Sequence, residues 1–212
     1  MDRNPLLRWK NRETYCGDQI IMNQVRWIVC ISFLFCFLPQ CGSSLELTEL
    51  PIGGNIVAVE KTGTTVDLKT FSEPVLLVFF GYTYCPDFCP NTLAKIKAAT
   101  EGFSEAEKKQ FRVIFISIDP ERDASETANK YVQFYLPNAS GFSFDQSTTN
   151  QIVKQYAAYV EKTKDGLSFD HSTYIYVLDS QRKTRKLIKS TDGKEVITKA
   201  IQVLSSNSVQ TK

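Results

Sequence analysis

The sequence has a single histidine, His171, only two methionines, Met1 and Met22, and no marked excess of charge of either sign. One imidazole excludes any mechanism that needs two within the chain. Lys and Arg number 25 against 23 for Asp and Glu, a formal charge of +2. The basic excess that marks a nucleic-acid binder is missing. Long apolar runs are scarce too: there is one, at residues 27–38, which excludes a multi-span helical membrane protein. Internal repeats and low-complexity segments are absent. What remains is a globular composition, 42% hydrophobic and 23% charged over 212 residues. It excludes a mostly disordered or collagen-like chain, and the length suits one domain plus a leader.

The apolar run, WIVCISFLFCFL, would span about 18 Å as a helix, against roughly 30 Å of bilayer hydrocarbon. It is too short for a comfortable membrane span and right for the core of a signal peptide. Met22-Asn23-Gln24-Val25-Arg26 precedes it as a compact n-region. Residues 1–21 are polar and mixed in charge, so translation is expected to start at Met22, with 1–21 not translated. Leu38-Pro39-Gln40-Cys41 follows the run and resembles a bacterial lipobox, departing from it at Pro39 and Gln40. The expected organisation is a leader at 1–41 that ends in a lipid-modified Cys41, then a flexible tether at 42–50. A plain secretory peptide or an uncleaved anchor is the alternative. Either way the domain is exported, to the bacterial cell envelope or periplasm, and held at the membrane, by lipid in the first case. Removing residues 1–41 leaves 20 basic and 20 acidic residues, a neutral domain with no strong pull toward anionic surfaces.

Six cysteines occur, at 16, 30, 36, 41, 85 and 89. Cys16 precedes the expected start, Cys30 and Cys36 lie in the apolar run, and Cys41 is the lipidation candidate. Only Cys85 and Cys89 remain in the exported domain. A bridge between them would close too small a loop to stabilise a fold by much. Redox or metal chemistry is the better use for the pair.

Residues 56–60 and 64–68 read as a hairpin around Thr62-Gly63. The continuous apolar run 75–80 is expected to be a strand buried on both faces, and 111–118 a second. A helix starts near Cys89 and ends near Gly102. Residues 125–136 form a helix with Tyr131, Phe134 and Tyr135 as its apolar side. Residues 147–156 form another, with Ile152, Val153 and Tyr156 inward. Residues 174–178 and 184–189 make an antiparallel pair, and 193–204 a last helix. The tail, 205–212, is polar and expected to be loose. Two early strands joined through a helix should be parallel. The expected fold is α/β and thioredoxin-like, spanning 51–204: a central mixed sheet flanked by helices, with an N-terminal β-hairpin extension.

Cys85-Pro86-Asp87-Phe88-Cys89 sits where a strand runs into a helix, a setting that favours a thiolate. The spacing is C-x-x-x-C, one residue more than in redox thioredoxins. Residues four apart lie about one helical turn from each other, so both sulfurs can face one side. They can close a disulfide or hold one soft ion, Cu(I) or Zn(II). His171, just before the strand at 174–178, is expected on a loop facing the start of that helix and completes a three-coordinate Cys2His set. No proline follows Pro137, so the cis-proline of thioredoxin-like oxidoreductases has no counterpart there.

Three stretches together, Phe79-Phe80-Gly81-Tyr82-Thr83-Tyr84-Cys85-Pro86-Asp87-Phe88-Cys89-Pro90, Ser117-Ile118-Asp119-Pro120-Glu121-Arg122-Asp123 and Asp170-His171-Ser172, resemble the Sco/SenC family. These are thioredoxin-like copper proteins that help assemble cytochrome c oxidase, and the resemblance covers residues 51–204. It implies that Cys85, Cys89 and His171 hold copper, Cu(I) or Cu(II), one ion per chain. Asp87 matches an acidic position between the cysteines. Residues 119–123 match a D-P-x-R-D loop taken here as structural. Tyr84 stands where many members have histidine. The resemblance further implies delivery of copper, or of reducing equivalents, to the dinuclear copper site of oxidase subunit II or another copper-receiving protein, with a thioredoxin-like reductant as a second partner. The alternative is an enzyme, a thiol-disulfide reductase for a partner's copper-ligand cysteines, with Cys85 and Cys89 as its redox pair. A peroxidase of the peroxiredoxin type lacks its P-x-x-x-T-x-x-C motif.

The leader can be tested directly. Mass spectrometry of the native protein is expected to find a polypeptide that begins at Cys41 and carries a diacyl- or triacylglyceryl group. An intact N-terminus at Met1 or Met22 would refute this.

Overall fold

The computed structural model describes Leu45 and residues 47–209. The expected leader, Cys41 included, lies outside the described residues, as do Cys16, Cys30 and Cys36. No helix among the described residues is long and apolar enough to cross a membrane.

The sheet is built around β3 (Val75–Gly81), all seven residues of which are buried. Its neighbour β4 (Phe111–Ser117) runs parallel to it, Val75 beside Phe111 through Gly81 beside Ser117. The helix between them, α1 (Phe88–Thr100), makes the crossover that parallel pairing requires. A short helix α2 (Glu105–Lys108) leads into β4, closed by a capping box between Ser104 and Glu107. Helix α3 (Ser125–Tyr135) then carries the chain to β5 (Ala139–Phe142), parallel to β4. On the other side of β3, β8 (Ile175–Leu178) and β9 (Thr184–Ile188) complete the sheet in antiparallel register. The order is β5-β4-β3-β8-β9. Helix α5 (Lys194–Val209) packs on α1, where the Thr198 hydroxyl donates to the Ala99 carbonyl at 2.6 Å.

A strand buried on both faces must fill two layers with alternate side chains. Phe79 packs on Phe115, which meets Tyr131 of α3. Phe80 points the other way, to Tyr156 and Tyr176. Tyr156 follows α4 (Gln146–Gln155). Two ribbons stand outside the sheet: β1–β2 (Val57–Val59 and Thr65–Asp67) and β6–β7 (Val160–Lys162 and Phe169–His171). The thioredoxin-like arrangement, with its N-terminal hairpin, is as expected from sequence.

Four local expectations are corrected. Ala128 and Val132 form the buried side of α3, while Phe134 is 82% exposed. At 3.6 residues per turn Phe134 lies roughly 120° round the axis from Ala128. Strand β5 crosses this side closely, which requires Gly141: a Cβ there would stand 2.4 Å from the Ala128 backbone. Strand β5 and the ribbon β6–β7 are absent from the sequence reading, since strands of three or four residues are defined by their partners rather than by their own pattern. The described part of the expected tether lies along the domain. Leu45 and Leu47 pack against the core, and the Leu50 N–H donates to the Thr184 carbonyl at 2.8 Å. Finally, α5 runs past Leu204 to Val209, with the Ser205 hydroxyl bonded back to the Ile201 carbonyl.

One buried cation ties the N-terminal segment to the sheet. Arg182 is 4% exposed, and its guanidinium donates to the carbonyls of Leu68 (2.8 Å), Phe71 (2.6 Å), Glu73 (3.0 Å) and Asp179 (3.3 Å). Arg182→Ala leaves these acceptors without their donors, so it is expected to lower stability by about 3 kcal/mol. Urea unfolding followed by circular dichroism measures this, and an unchanged midpoint would show the clasp to be dispensable.

Candidate metal centre

β3 delivers the chain to the site. Gly81, its last residue, has no room for a side chain: a Cβ would lie 2.6 Å from the Cys89 sulfur and 2.9 Å from the Phe115 ring. The loop that follows is held by Asp123, which is fully buried. Its carboxylate accepts from the Thr83 N–H at 2.9 Å, the Thr83 hydroxyl at 2.5 Å and the Ser117 hydroxyl at 2.7 Å. Three donors to one buried carboxylate meet its need for partners. They also tie the cysteine loop to the end of β4. Residues 119–123 are therefore structural, as expected.

Cys85 lies in this loop, before the helix begins, and Cys89 is the second residue of α1. The two are not on one helical turn, as the spacing suggests. The Cys89 N–H donates to the Cys85 sulfur at 3.5 Å. This is the helix-terminal N–H that a capping side chain ordinarily takes. Asp87, the residue at the cap position, makes no capping bond and instead accepts from the Asn91 amide at 2.5 Å. Cys85 is thus the acceptor at the positive end of α1. Pro90, in the first turn, lacks an N–H that the helix would not have used.

The two thiols are free and unequal. Cys85 is held well below the usual thiol range, first by a hydrogen bond from Cys89 and further by the backbone N–H groups of Cys89 and Asp87. Cys89 is pushed up by that same bond and by its own burial. The helix N–H on its sulfur and its place nearer the surface favour the anion on Cys85 over the fully buried Cys89.

His171 is not on a loop. It ends β7, paired with Val160 of β6. The ribbon brings its Nε2 to 3.9 Å from the Cys89 sulfur, and one ligand atom each from Cys85, Cys89 and His171 lies within 4.8 Å of the others. The ring's Nδ1 is 3.0 Å from the Ser172 carbonyl. A carbonyl only accepts, so Nδ1 carries a hydrogen and Nε2 is the atom left for the sulfurs. The ring also packs edge-on against Tyr82, at 6.0 Å between centroids. The triad is the sole group of three such ligands among the described residues. Neither Asp87 nor residues 119–123 join it. Sequence reasoning did not single out the parts played by Tyr82 and Ser172, because an aromatic beside a motif and a serine after a histidine carry no pattern of their own.

A model of the SCO1/SenC family matches residues 46–206. The chain belongs to the SCO1/SenC family. Among curated relatives, the mitochondrial SCO1 homolog 1 of Arabidopsis thaliana is 30% identical over 61% of this chain and 40% of its own length. SenC of Rhodobacter capsulatus is 31% identical over 66% of this chain and 64% of its own. The chain therefore spans less than two thirds of the length of these relatives. Among solved structures, Arabidopsis thaliana ScoI with copper bound matches at a TM-score of 0.63 with 27% identity, over 75% of this chain and 99% of that one.

The close approach at Gly81 makes a test of the SCO1/SenC site. Gly81→Ala must displace the Cys89 sulfur or the Phe115 ring, and is expected to cost about 2 kcal/mol of stability. Urea unfolding reads the cost. A variant as stable as wild type would show that the site has slack there.

Proposed function

We propose that this protein is an exported copper-binding assembly factor, delivering copper to, or maturing, the dinuclear copper site of cytochrome c oxidase subunit II, with Cys85, Cys89 and His171 as ligands. The observation that carries the reading is the orientation of His171: Nδ1 is occupied by the Ser172 carbonyl, and Nε2 faces two thiols at ligand distance from each other. A hydrogen bond on the nitrogen that does not face the metal fixes the ring of a metal-binding histidine. Two sulfurs and an imidazole suit copper. The family, and the copper held by the related ScoI of Arabidopsis thaliana, support that choice of ion.

The helix N–H that Cys85 accepts favours its thiolate, the form that binds Cu(I), and copper uptake releases whatever protons the pair holds. Disulfide formation removes both ligands, which links copper uptake to thiol redox state. A protein recipient is supported by the surroundings. Of the exposed large hydrophobic residues, Tyr84 and Phe88 lie beside the cysteines, and Tyr159 and Leu167 flank the strands of the His171 ribbon. Apolar groups gathered around a site favour contact with another protein.

The asymmetry of the thiols also favours a second reading, a thiol-disulfide reductase. The Cys85 thiolate would attack one sulfur of a partner disulfide and release the other as a thiolate. Cys89 would then give up its proton, attack Cys85 and expel the partner's second sulfur. The partner gains two electrons and the pair becomes a disulfide.

Copper titration of the reduced protein discriminates. It is expected to take up one copper per chain and the disulfide form essentially none. His171→Ala should keep its far-UV circular dichroism and its Cu(I) stoichiometry, and lose the Cu(II)-thiolate absorption. Equal uptake by the oxidised form, or an unchanged Cu(II) spectrum in the variant, would sink the Cys2His assignment.

A further inference from the structure

The triad is assembled from two parts of the chain that share no secondary structure: the cysteine loop after β3 and the ribbon β6–β7. We propose that Arg122 is a positioning residue that locks the ribbon onto the cysteine loop and so sets His171 against the two sulfurs. The proposal rests on the Cys2His reading above.

One guanidinium reaches every piece. Its Nε pairs with Asp119, which is 2% exposed and so offers a fixed partner. Its Nη1 donates to the Leu167 carbonyl, in the turn of the ribbon, at 3.0 Å. The same group lies 5.1 Å from the ring centre of Tyr84 and 5.8 Å from that of Tyr82, the aromatic residues just before Cys85. A planar cation can serve two hydrogen bonds and two ring faces at once; an ammonium cannot. The next residue, Asp123, grips Thr83 from the same short turn. Residues 119–123 therefore hold the cysteine loop with Asp123 and the ribbon with Arg122.

The ribbon also packs Phe169 and His171 edge-on against Tyr82, at 5.3 and 6.0 Å between ring centres, but its other polar ties to the loops around it are weak. Lys162 and Glu121 pair at 3.3 Å with side chains 48% and 72% exposed, a geometry worth little. The Phe169 N–H reaches the Tyr82 hydroxyl at 3.4 Å, near the limit for a hydrogen bond. Two strands of three residues do not hold together unaided. Beside the ribbon a cleft of about 340 Å³, lined by Asp119, Glu121, Thr149, Val160, Lys162 and Phe169, leaves it room to move. Without Arg122, ring packing on Tyr82 and these weak polar contacts are left to fix the distance between imidazole and sulfurs.

The test compares wild type, Arg122→Gln, His171→Ala and the double variant, each reduced and titrated with Cu(I) and with Cu(II) ions. Arg122→Gln is expected to weaken Cu(II) binding tenfold to a hundredfold, the usual cost of removing a residue that orients a ligand. Cu(I), which two thiolates can hold, should bind within threefold of wild type. In the His171→Ala background the Arg122 change should cost nothing further, because a residue that acts through His171 has no effect once His171 is gone. Full Cu(II) affinity in Arg122→Gln, or the same added loss with His171 absent, overturns the proposal. If Arg122→Gln fails to fold, Arg122→Lys replaces it under the same criteria. If His171→Ala alone leaves Cu(II) binding intact, the ligand assignment is what fails. The clamp is then judged by amide hydrogen exchange at Phe169 and Ser172, which Arg122→Gln should accelerate at least tenfold. Unchanged exchange overturns it.

Discussion

The site depends on the placement of β3. Seven consecutive buried residues, flanked by β4 on one side and β8 on the other, leave this strand no freedom to slip, because a shift of one residue would exchange its two packed faces. Its end is therefore a fixed point, and the cysteine loop starts there. Gly81 presses the first turn of α1 against the sheet, since nothing intervenes between its backbone and the Cys89 sulfur. The Ile118 N–H donates to the Gly81 carbonyl at 2.8 Å, and Asp123 holds Thr83 from the adjoining turn. The end of β4 thus fixes the loop that leaves β3.

From that fixed point the chemistry follows from two local asymmetries. The start of a helix is a place of unsatisfied N–H groups, and here a sulfur rather than a side-chain oxygen takes one of them. That contact favours the anion on the outer sulfur, while burial pushes the inner thiol up. Copper and a partner disulfide would both meet Cys85 as the ready nucleophile. What separates a metal site from a simple dithiol is the third ligand. His171 comes on a ribbon that belongs to neither the sheet nor the helices, so its position depends on contacts such as those of Tyr82 and Arg122.

Much of this was legible in the chain itself. The runs at β3 and β4 could be recognised because strands buried on both faces are continuously apolar, and such runs are rare in a sequence with 23% charged residues. C-x-x-x-C at a strand-to-helix junction, with one histidine in the whole chain, narrowed the candidate ligands to three residues. The same residues come together in space. Local periodicity failed where large side chains misled it: Phe134 is apolar yet points to solvent, and the small Ala128 is the residue that the sheet covers.

Sequence by itself determined the central strands, the identity of the two thiols and the one imidazole, and the near-even balance of charge. These rest on composition and on short-range pattern, which a chain carries before it folds. Tertiary structure alone decided that Cys85 stands off the helix as its N-terminal acceptor, that His171 ends a strand, and that Arg122 lies between Tyr82, Tyr84 and the ribbon. None of these follows from a local pattern: Arg122 meets Tyr82 and Leu167 from distant parts of the chain, and the strand that His171 ends is made by a pairing too short to announce itself. The reason is physical: a three-residue strand has no stability of its own, so its existence, and the ligand it carries, is a property of the packed fold.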